Sequence, residues 1–271
     1  MAVAIVTDST SSLPAYLLEQ ARISVVPVHV IVDDHVFSEG VDISTESLVE
    51  KLRAGATVST SKPNPEAFAD VYRSLAFQGF SDIVSIHVSS ELSGTYSSAV
   101  IAARSAELPV RVVDSRTIGM GLGFSVLAAA DALTQGHGVG VVADRASRCG
   151  RAARAWLCVE TLEYLHRGGR IGNAQAIVGN ALALKPIVEI AGGRLIPRDK
   201  VRTTVRAHAT LIDYAVSAAA EMGGAVELAV HHAMAAEKAD QIATELGRKL
   251  PGVAITVVPL SLIHISEPTR H

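Results

Sequence analysis

The sequence predicts an α/β protein. Apolar, β-branched runs of strand length alternate with amphipathic or alanine-rich runs of helix length. Several of the strand-like runs end in polar turns that lead directly into a helix-like run. With 271 residues, 49% of them hydrophobic, the chain is long enough for two α/β domains. We expect an N-terminal domain over residues 1–150, a C-terminal domain over residues 151–259, and a tail over residues 260–271; the first two are called the first and second halves.

The first half opens with strands and helices in alternation. Strand patterns cover residues 3–7, 23–32, 83–88 and 110–113. Ser12 is a candidate cap for the first helix. Further helix patterns cover residues 44–54, 65–77, 99–104, 121–134 and 139–148. Asn64 before Pro65 is the clearest helix start, because asparagine caps a helix and proline suits its first position.

The second half shows the same alternation after a basic connector at residues 151–154. Strand patterns cover residues 155–159, 185–190, 194–197, 227–231 and 253–258, with Gly192 and Gly193 as a hairpin turn. Helix patterns cover residues 161–166, 173–183, 203–221 and 236–249. A glycine-flanked basic turn, residues 167–170, lies between the first of these helices and the second.

The most informative stretch is the polar turn between the strand at residues 83–88 and the next helix. It contains Ser93, Gly94 and Thr95. A helix start carries unpaired backbone N–H groups and a partial positive charge. The two hydroxyls add donors, and glycine lets a ligand approach the backbone. The turn therefore predicts a site for a small anion, either a carboxylate or a phosphate, although a purely structural cap is an alternative.

Other polar turns could complete this site. Asp8 and Ser9 follow the first strand, and the carboxyl ends of parallel strands share one edge of a sheet, where ligands bind. Thr60 and Ser61 lie in a polar turn over residues 58–63. Arg170 offers a planar fork suited to carboxylate or phosphate oxygens. Ordinary turn hydrogen bonds and a surface salt bridge remain the alternatives for these residues.

Several functional classes lack support in the sequence. The formal net charge is −3 and no basic stripe carries interleaved aromatic residues, so we expect no nucleic-acid partner. No apolar run is long enough to predict membrane insertion, and no signal-peptide pattern is seen. Cys149 and Cys158 lack metal-ligand spacing and are expected to be reduced thiols, which favours the cytoplasm. The Walker and G-x-S-x-G motifs are absent. The pair His231 and His232 is interpreted as structural.

Six segments, in this order and spacing, resemble the DegV family of fatty-acid-binding proteins, and the resemblance covers nearly the whole chain to Val258. They are Ile5-Val6-Thr7-Asp8-Ser9, Thr60-Ser61-Lys62-Pro63, Ser89-Ser90-Glu91-Leu92-Ser93-Gly94-Thr95-Tyr96, Val113-Asp114-Ser115, Leu162-Glu163-Tyr164-Leu165 and Arg167-Gly168-Gly169-Arg170-Ile171.

The resemblance implies two α/β domains with a lipid pocket between them. It implies that Thr60 and Ser93 hydrogen-bond the carboxylate of a long-chain fatty acid, and that Arg170 lies by the head group for phosphate handling. The remaining candidate pocket residues are Ser61, Gly94, Thr95, Asp8 and Ser9. By resemblance the protein is no enzyme by itself and has no cofactor, metal or catalytic residue; it presents the bound carboxylate to a separate ATP-dependent fatty-acid kinase, in cytoplasmic phospholipid metabolism.

Two other functions stay open from the residues. Ser93 could be the nucleophile of a hydrolase or transferase, which would need a base within reach. His87 is the nearest histidine in the sequence but occupies a strand position. The hydroxyl turn could equally take the phosphate of a phosphosugar in a regulatory binding protein.

The chain departs from the DegV pattern at three places. The family often carries glutamine where Lys62 stands and glycine where Glu91 stands. It closes with a His-x-Gly-Pro-Gly-type segment, whereas this chain passes from Pro259 into residues 260–271, which resemble a translated sequencing adapter. We predict that this tail is foreign to the natural protein, and we transfer no head-group role to His264.

Overall fold

A computed structural model describes residues 2–159, 162, 165, 169–171 and 184–260. The strands in these residues are β1 (Val3–Asp8), β2 (Ile23–Val26), β3 (His29–Val32), β4 (His35–Ser38), β5 (Val58–Ser61), β6 (Asp82–His87), β7 (Val110–Asp114), β8 (Ala155–Cys158), β9 (Lys185–Ala191), β10 (Arg194–Val201), β11 (Glu227–His232) and β12 (Ala254–Pro259). The helices are α1 (Ala15–Gln20), α2 (Thr45–Arg53), α3 (Pro65–Phe77), α4 (Thr95–Ala103), α5 (Met120–Thr134), α6 (Val139–Ala152), α7 (Thr204–Met222) and α8 (Ala236–Lys249).

The first half is built on a parallel sheet with the strand order β2-β1-β6-β7. Helices α3 and α4 pack on one face through Phe68, Tyr72 and Ala99, and α5 and α6 pack on the other through Val126 and Val142. The predicted α/β fold is confirmed. Because β1 and β6 are neighbours and parallel, the polar residues that follow them meet at one sheet edge, as the sequence predicted.

A small antiparallel sheet of order β4-β3-β5 stands beside the parallel one. It corrects two predictions. The strand expected over residues 23–32 is two strands in different sheets, because Pro27 has no N–H for a ladder and Val28 N–H binds the Ser9 hydroxyl instead, at 3.1 Å. Thr60 and Ser61, expected in a turn, end strand β5 opposite β3.

Helix caps explain one accurate and one inaccurate prediction of a helix start. Asn64 caps α3 as predicted, and its side chain accepts from Ala67 N at 2.9 Å. Ser12 was expected to cap α1, but that expectation is wrong. Ser12 has φ 52° and ends a short 3-10 turn, Ser9–Ser11, while Pro14 stands at the cap position of α1 without a side-chain bond.

The second half contains an antiparallel sheet of order β10-β9-β8 and a parallel pair, β11 and β12. Helix α6 continues to Ala152, so the link to β8 is only Ala153 and Arg154. The division into two domains near Gly150 stays a prediction. The helices predicted over residues 161–166 and 173–183, and the tail beyond residue 260, lie outside the described residues apart from Leu162 and Leu165.

One apolar core joins the two halves. Leu92, Met120 and Leu122 from the first half belong to the same buried cluster as residues of the second half, which are Leu162, Leu165, Ile171, Val188, Ile190, Leu195 and Val258. Burying such side chains stabilises the fold by about 1.5–3 kcal/mol each. The Ser93 turn therefore lies directly beside a core to which both halves contribute.

None of the helices in the described residues is long and apolar enough to cross a membrane.

Candidate functional site

The hydroxyl turn, residues 88–95, connects β6 to α4 and includes the first residue of that helix, which begins at Thr95 and not at residue 99 as predicted. The hydroxyls of Ser93 and Thr95 lie 2.8 Å apart, and Thr95 N donates to Ser93 Oγ at 3.2 Å. Gly94 is the cap residue of α4 and gives no side-chain bond. Ser93 is half-buried, while Thr95 is buried. The turn thus presents a partly accessible hydroxyl at a helix start, where the helix dipole favours an anion.

The end of β5 reaches this turn through Lys62. A Cβ built on Gly94 would lie 2.6 Å from Lys62 Cδ and 3.0 Å from Lys62 Nζ. Gly94 was expected to leave its backbone open to a ligand; instead the Lys62 side chain lies across it. Gly94 has φ −74°, so a larger residue would meet the flexible Lys62 side chain and would not strain the backbone. Thr60 and Ser61 are half-buried and precede Lys62 on the same strand end.

Arg170 brings the second half to the same turn. Its Nε donates to the backbone oxygen of Leu92 at 3.4 Å, one residue before Ser93. Its own backbone N–H and that of Ile171 bind Leu165 O, at 3.1 and 3.2 Å. Burial lowers the pKa of the Arg170 guanidinium. A cation of the second half is therefore held against the candidate anion site of the first.

Asp8 is fully buried and its carboxylate already has protein partners. Oδ1 accepts from the backbone N–H of Thr10 at 3.1 Å and from the Thr10 hydroxyl; Oδ2 accepts from Val88 N at 3.1 Å and lies 2.9 Å from His87 Nδ1. With no exposed surface, Asp8 is placed behind the site. Its bond to Val88 fixes the point at which the hydroxyl turn leaves β6.

His87 extends this contact into a buried polar chain, defined as Asp8, His87, Ser85 and Tyr72. His87 Nε2 lies 2.7 Å from Ser85 Oγ, which lies 2.8 Å from Tyr72 OH. Burial raises the pKa of Tyr72 to about 12. Because both His87 nitrogens are engaged in this chain, His87 is not a base for Ser93. The geometry thus gives no support to Ser93 as an activated nucleophile.

Ser9 is also held by the protein. Its hydroxyl donates to Glu39 Oε2 at 2.6 Å and accepts from Val28 N. Burial raises the pKa of Glu39 to about 7; the Ser9 bond opposes this rise and the nearby Asp8 carboxylate adds to it. Ser9 therefore ties the end of β1 to the small antiparallel sheet that carries Thr60.

A second contact between the halves forms where the β9–β10 hairpin meets the hydroxyl turn. Ser89 Oγ donates to Gly193 O at 2.8 Å, and Glu91 pairs with Arg194 at 2.8 Å and with Arg116 at 3.6 Å. A cleft of about 810 Å³ opens beside this contact. Its lining includes Tyr96, Arg111, Asp114, Arg116, Asp144 and Arg151. Neither Thr60 nor Ser93 lines it, and so charged a lining does not suit an acyl chain.

His231 has a role that the sequence did not reveal. Its Nε2 accepts from Met120 N, the first residue of α5, at 3.0 Å. Gly119 has φ 59°, and a Cβ there would lie 3.1 Å from that nitrogen. Burial, with a smaller effect of His232, lowers the pKa of His231 to about 4, so the neutral ring can accept this bond. The interpretation of His231 as structural agrees with this geometry.

No group of three or more potential metal ligands occurs in the described residues.

The chain matches a family and several sequence relatives along most of its length. The family described as "Uncharacterised protein, DegV family" matches residues 2–266. A DegV domain-containing protein of Streptomyces coelicolor is 46% identical over 265 residues, covering 98% of this chain and 91% of the relative. A DegV domain-containing protein of Mycobacterium tuberculosis is 36% identical over 269 residues, covering 98% and 94%.

Two solved structures have the same fold. One is a DegV family protein from Thermus thermophilus whose description names fatty acid binding. Its comparison with this chain gives a TM-score of 0.85 and 32% sequence identity, and covers 99% of this chain and 96% of that one. DegV from Bacillus subtilis, described as a fatty acid binding protein, has a TM-score of 0.88 and 29% identity, covering 98% and 96%. These matches, together with the α/β fold and the hydroxyl turn, show that the chain belongs to the DegV family.

Proposed function

We propose that this protein binds a long-chain fatty acid and presents its carboxylate to a separate, ATP-dependent fatty-acid kinase. In this proposal Thr60 and Ser93 hydrogen-bond the carboxylate, and Arg170 lies by the head group. Ser61, Gly94 and Thr95 belong to the walls around the head group. Asp8 and Ser9, whose side chains have protein partners, position the site from behind.

The convergence of three distant segments on one turn carries this proposal. The residue after β5 crosses Gly94, the hydroxyls of Ser93 and Thr95 lie together, and Arg170 holds the carbonyl of Leu92. The turn adjoins a core built from both halves. The solved relatives described as fatty-acid binding give the anion a chemical identity that the turn alone leaves open.

The energetics favour an acyl carboxylate over a small polar anion. A long acyl chain has about fourteen methylenes, which at ~0.8 kcal/mol each provide roughly 11 kcal/mol of gross transfer free energy. One charge-assisted hydrogen bond contributes only about 1.5–3 kcal/mol. The tail would therefore provide most of the affinity, while Thr60 and Ser93 orient the head for phosphorylation.

Native mass spectrometry of the purified chain tests the binding proposal. We expect a co-purified species with the mass of a long-chain fatty acid, which extraction and gas chromatography would identify. A phosphosugar in its place would favour the regulatory alternative. A chain that stays empty when incubated with fatty acids would contradict the proposal.

Ser93→Ala tests the head-group assignment. We expect binding of the fatty acid to weaken about tenfold, because one hydrogen bond to the carboxylate is lost. Binding of the corresponding methyl ester should change much less. Ser97→Ala, an exposed serine on α4, is the matched control and should leave both ligands unaffected. Equal losses for acid and ester in Ser93→Ala would remove Ser93 from the head-group site.

Arg170→Ala tests the kinase step. Arg170 would neutralise charge that develops on the transferred phosphate, so lipid binding should be kept and kinase-dependent acyl-phosphate formation should slow by at least about tenfold. Arg202→Ala, an exposed arginine of the second half, is the control. If Arg170→Ala cannot be loaded with lipid, the residue is structural and its proposed part in phosphate handling is wrong.

The proposal places the protein in the cytoplasm, where a kinase would find ATP.

The foreign origin of residues 260–271 is a separate proposal. It draws on their adapter-like sequence, although the family match extends over part of them, to residue 266. Sequencing the genomic locus tests it: genomic DNA that encodes these same residues would refute it.

A further inference from the structure

Lys62 stands at a fixed point of the candidate site. The residues before it, Thr60 and Ser61, are paired with Val30 and His29 of β3. The residues after it are the buried Pro63 and the helix cap Asn64. Because the backbone is held on both sides, the start of the Lys62 side chain is held as well. Only the aliphatic stem and the ammonium are free to rotate.

The stem of Lys62 runs along the hydroxyl turn. Its Cδ, Nζ and Cε lie 2.6, 3.0 and 3.3 Å from the position that a Cβ of Gly94 would take. The ammonium therefore ends beside the residue that separates the hydroxyls of Ser93 and Thr95. A side chain larger than hydrogen at position 94 would occupy the same space as the stem.

The ammonium lacks a carboxylate partner within the described part of the chain. No ion pair joins Lys62 to an acidic residue there, and the nearby Glu91 is engaged by Arg194 and Arg116. Arg170 reaches the same turn from the other half. The turn therefore has two cations and the positive end of α4, and its own protein acid is already paired.

We infer that Lys62 is the counter-ion of the ligand head group: its ammonium pairs with the ligand carboxylate and makes this chain select an ionised lipid over a neutral lipid of the same length. This inference rests on the proposed function. Hydrogen bonds from Thr60 and Ser93 could also be given, more weakly, to a neutral alcohol or ester oxygen. A cation distinguishes the charged head, because its attraction to a neutral head is far weaker.

The flexibility of Lys62 suits this role. A lysine carries a point charge on a stem that rotates, so it can leave its position beside Gly94 and turn to a ligand head group. Lys62 is an exposed residue, so water can solvate its ammonium and the energetic cost of leaving it without an ion pair is small. An ion pair formed beside bound lipid is better shielded from water than one at an open surface.

The test compares palmitic acid with hexadecanol, which has the same chain length and a neutral head. Dissociation constants are measured for the wild-type chain and for Lys62→Met, which keeps the stem and removes the charge. We expect the acid to bind about tenfold more weakly to Lys62→Met, and the alcohol to bind with affinity unchanged within about twofold. Lys62→Arg should keep most of the affinity for the acid. Lys249→Met, an exposed lysine at the end of α8, is the matched charge control.

Ionic strength gives a second readout. Affinity for palmitic acid should fall with added salt more steeply in the wild-type chain than in Lys62→Met, because salt screens the ion pair that only the wild type can form through Lys62. If Lys62→Met binds the acid as tightly as the wild type, or loses acid and alcohol equally, the inference is overturned while the proposed function stands. If the wild-type chain binds neither lipid, the proposed function fails and the inference fails with it.

Discussion

The buried polar chain and the hydroxyl turn lie at the same end of the sheet and contain similar residues, yet they differ in what remains available. In the buried polar chain each of Asp8, His87, Ser85 and Tyr72 is bound to another member and all lie in the core. In the hydroxyl turn, Ser93 is half-buried and bonds mainly to its neighbour Thr95. An aspartate, a histidine and a serine in one row therefore need not form an active site, because hydrogen bonds within the protein can use all of their capacity.

The largest effect is expected from removing the centre of the buried polar chain. His87→Ala should lower the free energy of unfolding by about 4 kcal/mol, because it leaves a cavity and removes the partner of two buried groups. Ser93→Ala should change the same quantity by less than about 0.5 kcal/mol, because its bonds are partly exposed. Urea unfolding of both variants provides the measurement. Similar losses in the two variants would remove the distinction between these regions.

A second, smaller effect should appear next to the buried polar chain, where Ser9, the residue after Asp8, donates to Glu39. The pKa of Glu39 is about 7 in the folded protein against an ordinary 4.5, so the folded state holds the proton more tightly. The resulting stabilisation is complete below pH 4.5 and is lost as the pH rises through 7. Glu39→Gln removes this titration, so its stability relative to wild type should improve by about 3 kcal/mol between pH 4.5 and pH 8.

Urea unfolding at pH 4.5 and pH 8 measures this change. Glu19→Gln, an exposed carboxylate on α1, serves as the control and should show no comparable change. A difference between wild type and Glu39→Gln that stays constant across this range would show that Glu39 is not held as the structure describes.

At Gly94 the expected effect on stability is as small as that of Ser93→Ala. Gly94→Ala introduces a methyl group where Lys62 Cδ now lies, but the lysine is exposed at its end and can move aside. With φ −74° the backbone accepts alanine, so unfolding should change by less than about 0.5 kcal/mol. Affinity for a fatty acid should fall about threefold as Lys62 is displaced. Isothermal titration and thermal unfolding check the two parts, and a large loss of stability would mean that Lys62 is rigidly packed.

The sequence predicted the framework of this site because its signals are local. The apolar run of β6, the hydroxyls after it and the cap at Asn64 each act within a few residues, and the structure has them as expected. Strand β5 gave no such signal, since Ser59, Thr60 and Ser61 are polar and gain their strand geometry by pairing with β3. Propensity could not anticipate a strand that depends on its neighbour.

Contacts between residues far apart in the chain were also beyond local patterns. Asp8 and His87 are separated by 79 positions, and nothing near either residue indicates that they bind each other. Lys62 departs from the family pattern, and its place directly after two hydroxyl residues was a usable signal that it belongs to the candidate site. The role of His231 depends on Met120, 111 positions earlier.

This last bond has a consequence for the order in which the protein is made. When the first half leaves the ribosome, helix α5 begins with an amide whose acceptor has not yet been synthesised. Until β11 emerges, water must take the place of the imidazole, and the start of α5 is left to fray. A chain truncated near residue 150 should therefore keep a frayed start of α5, since it lacks the segment whose imidazole accepts the Met120 amide.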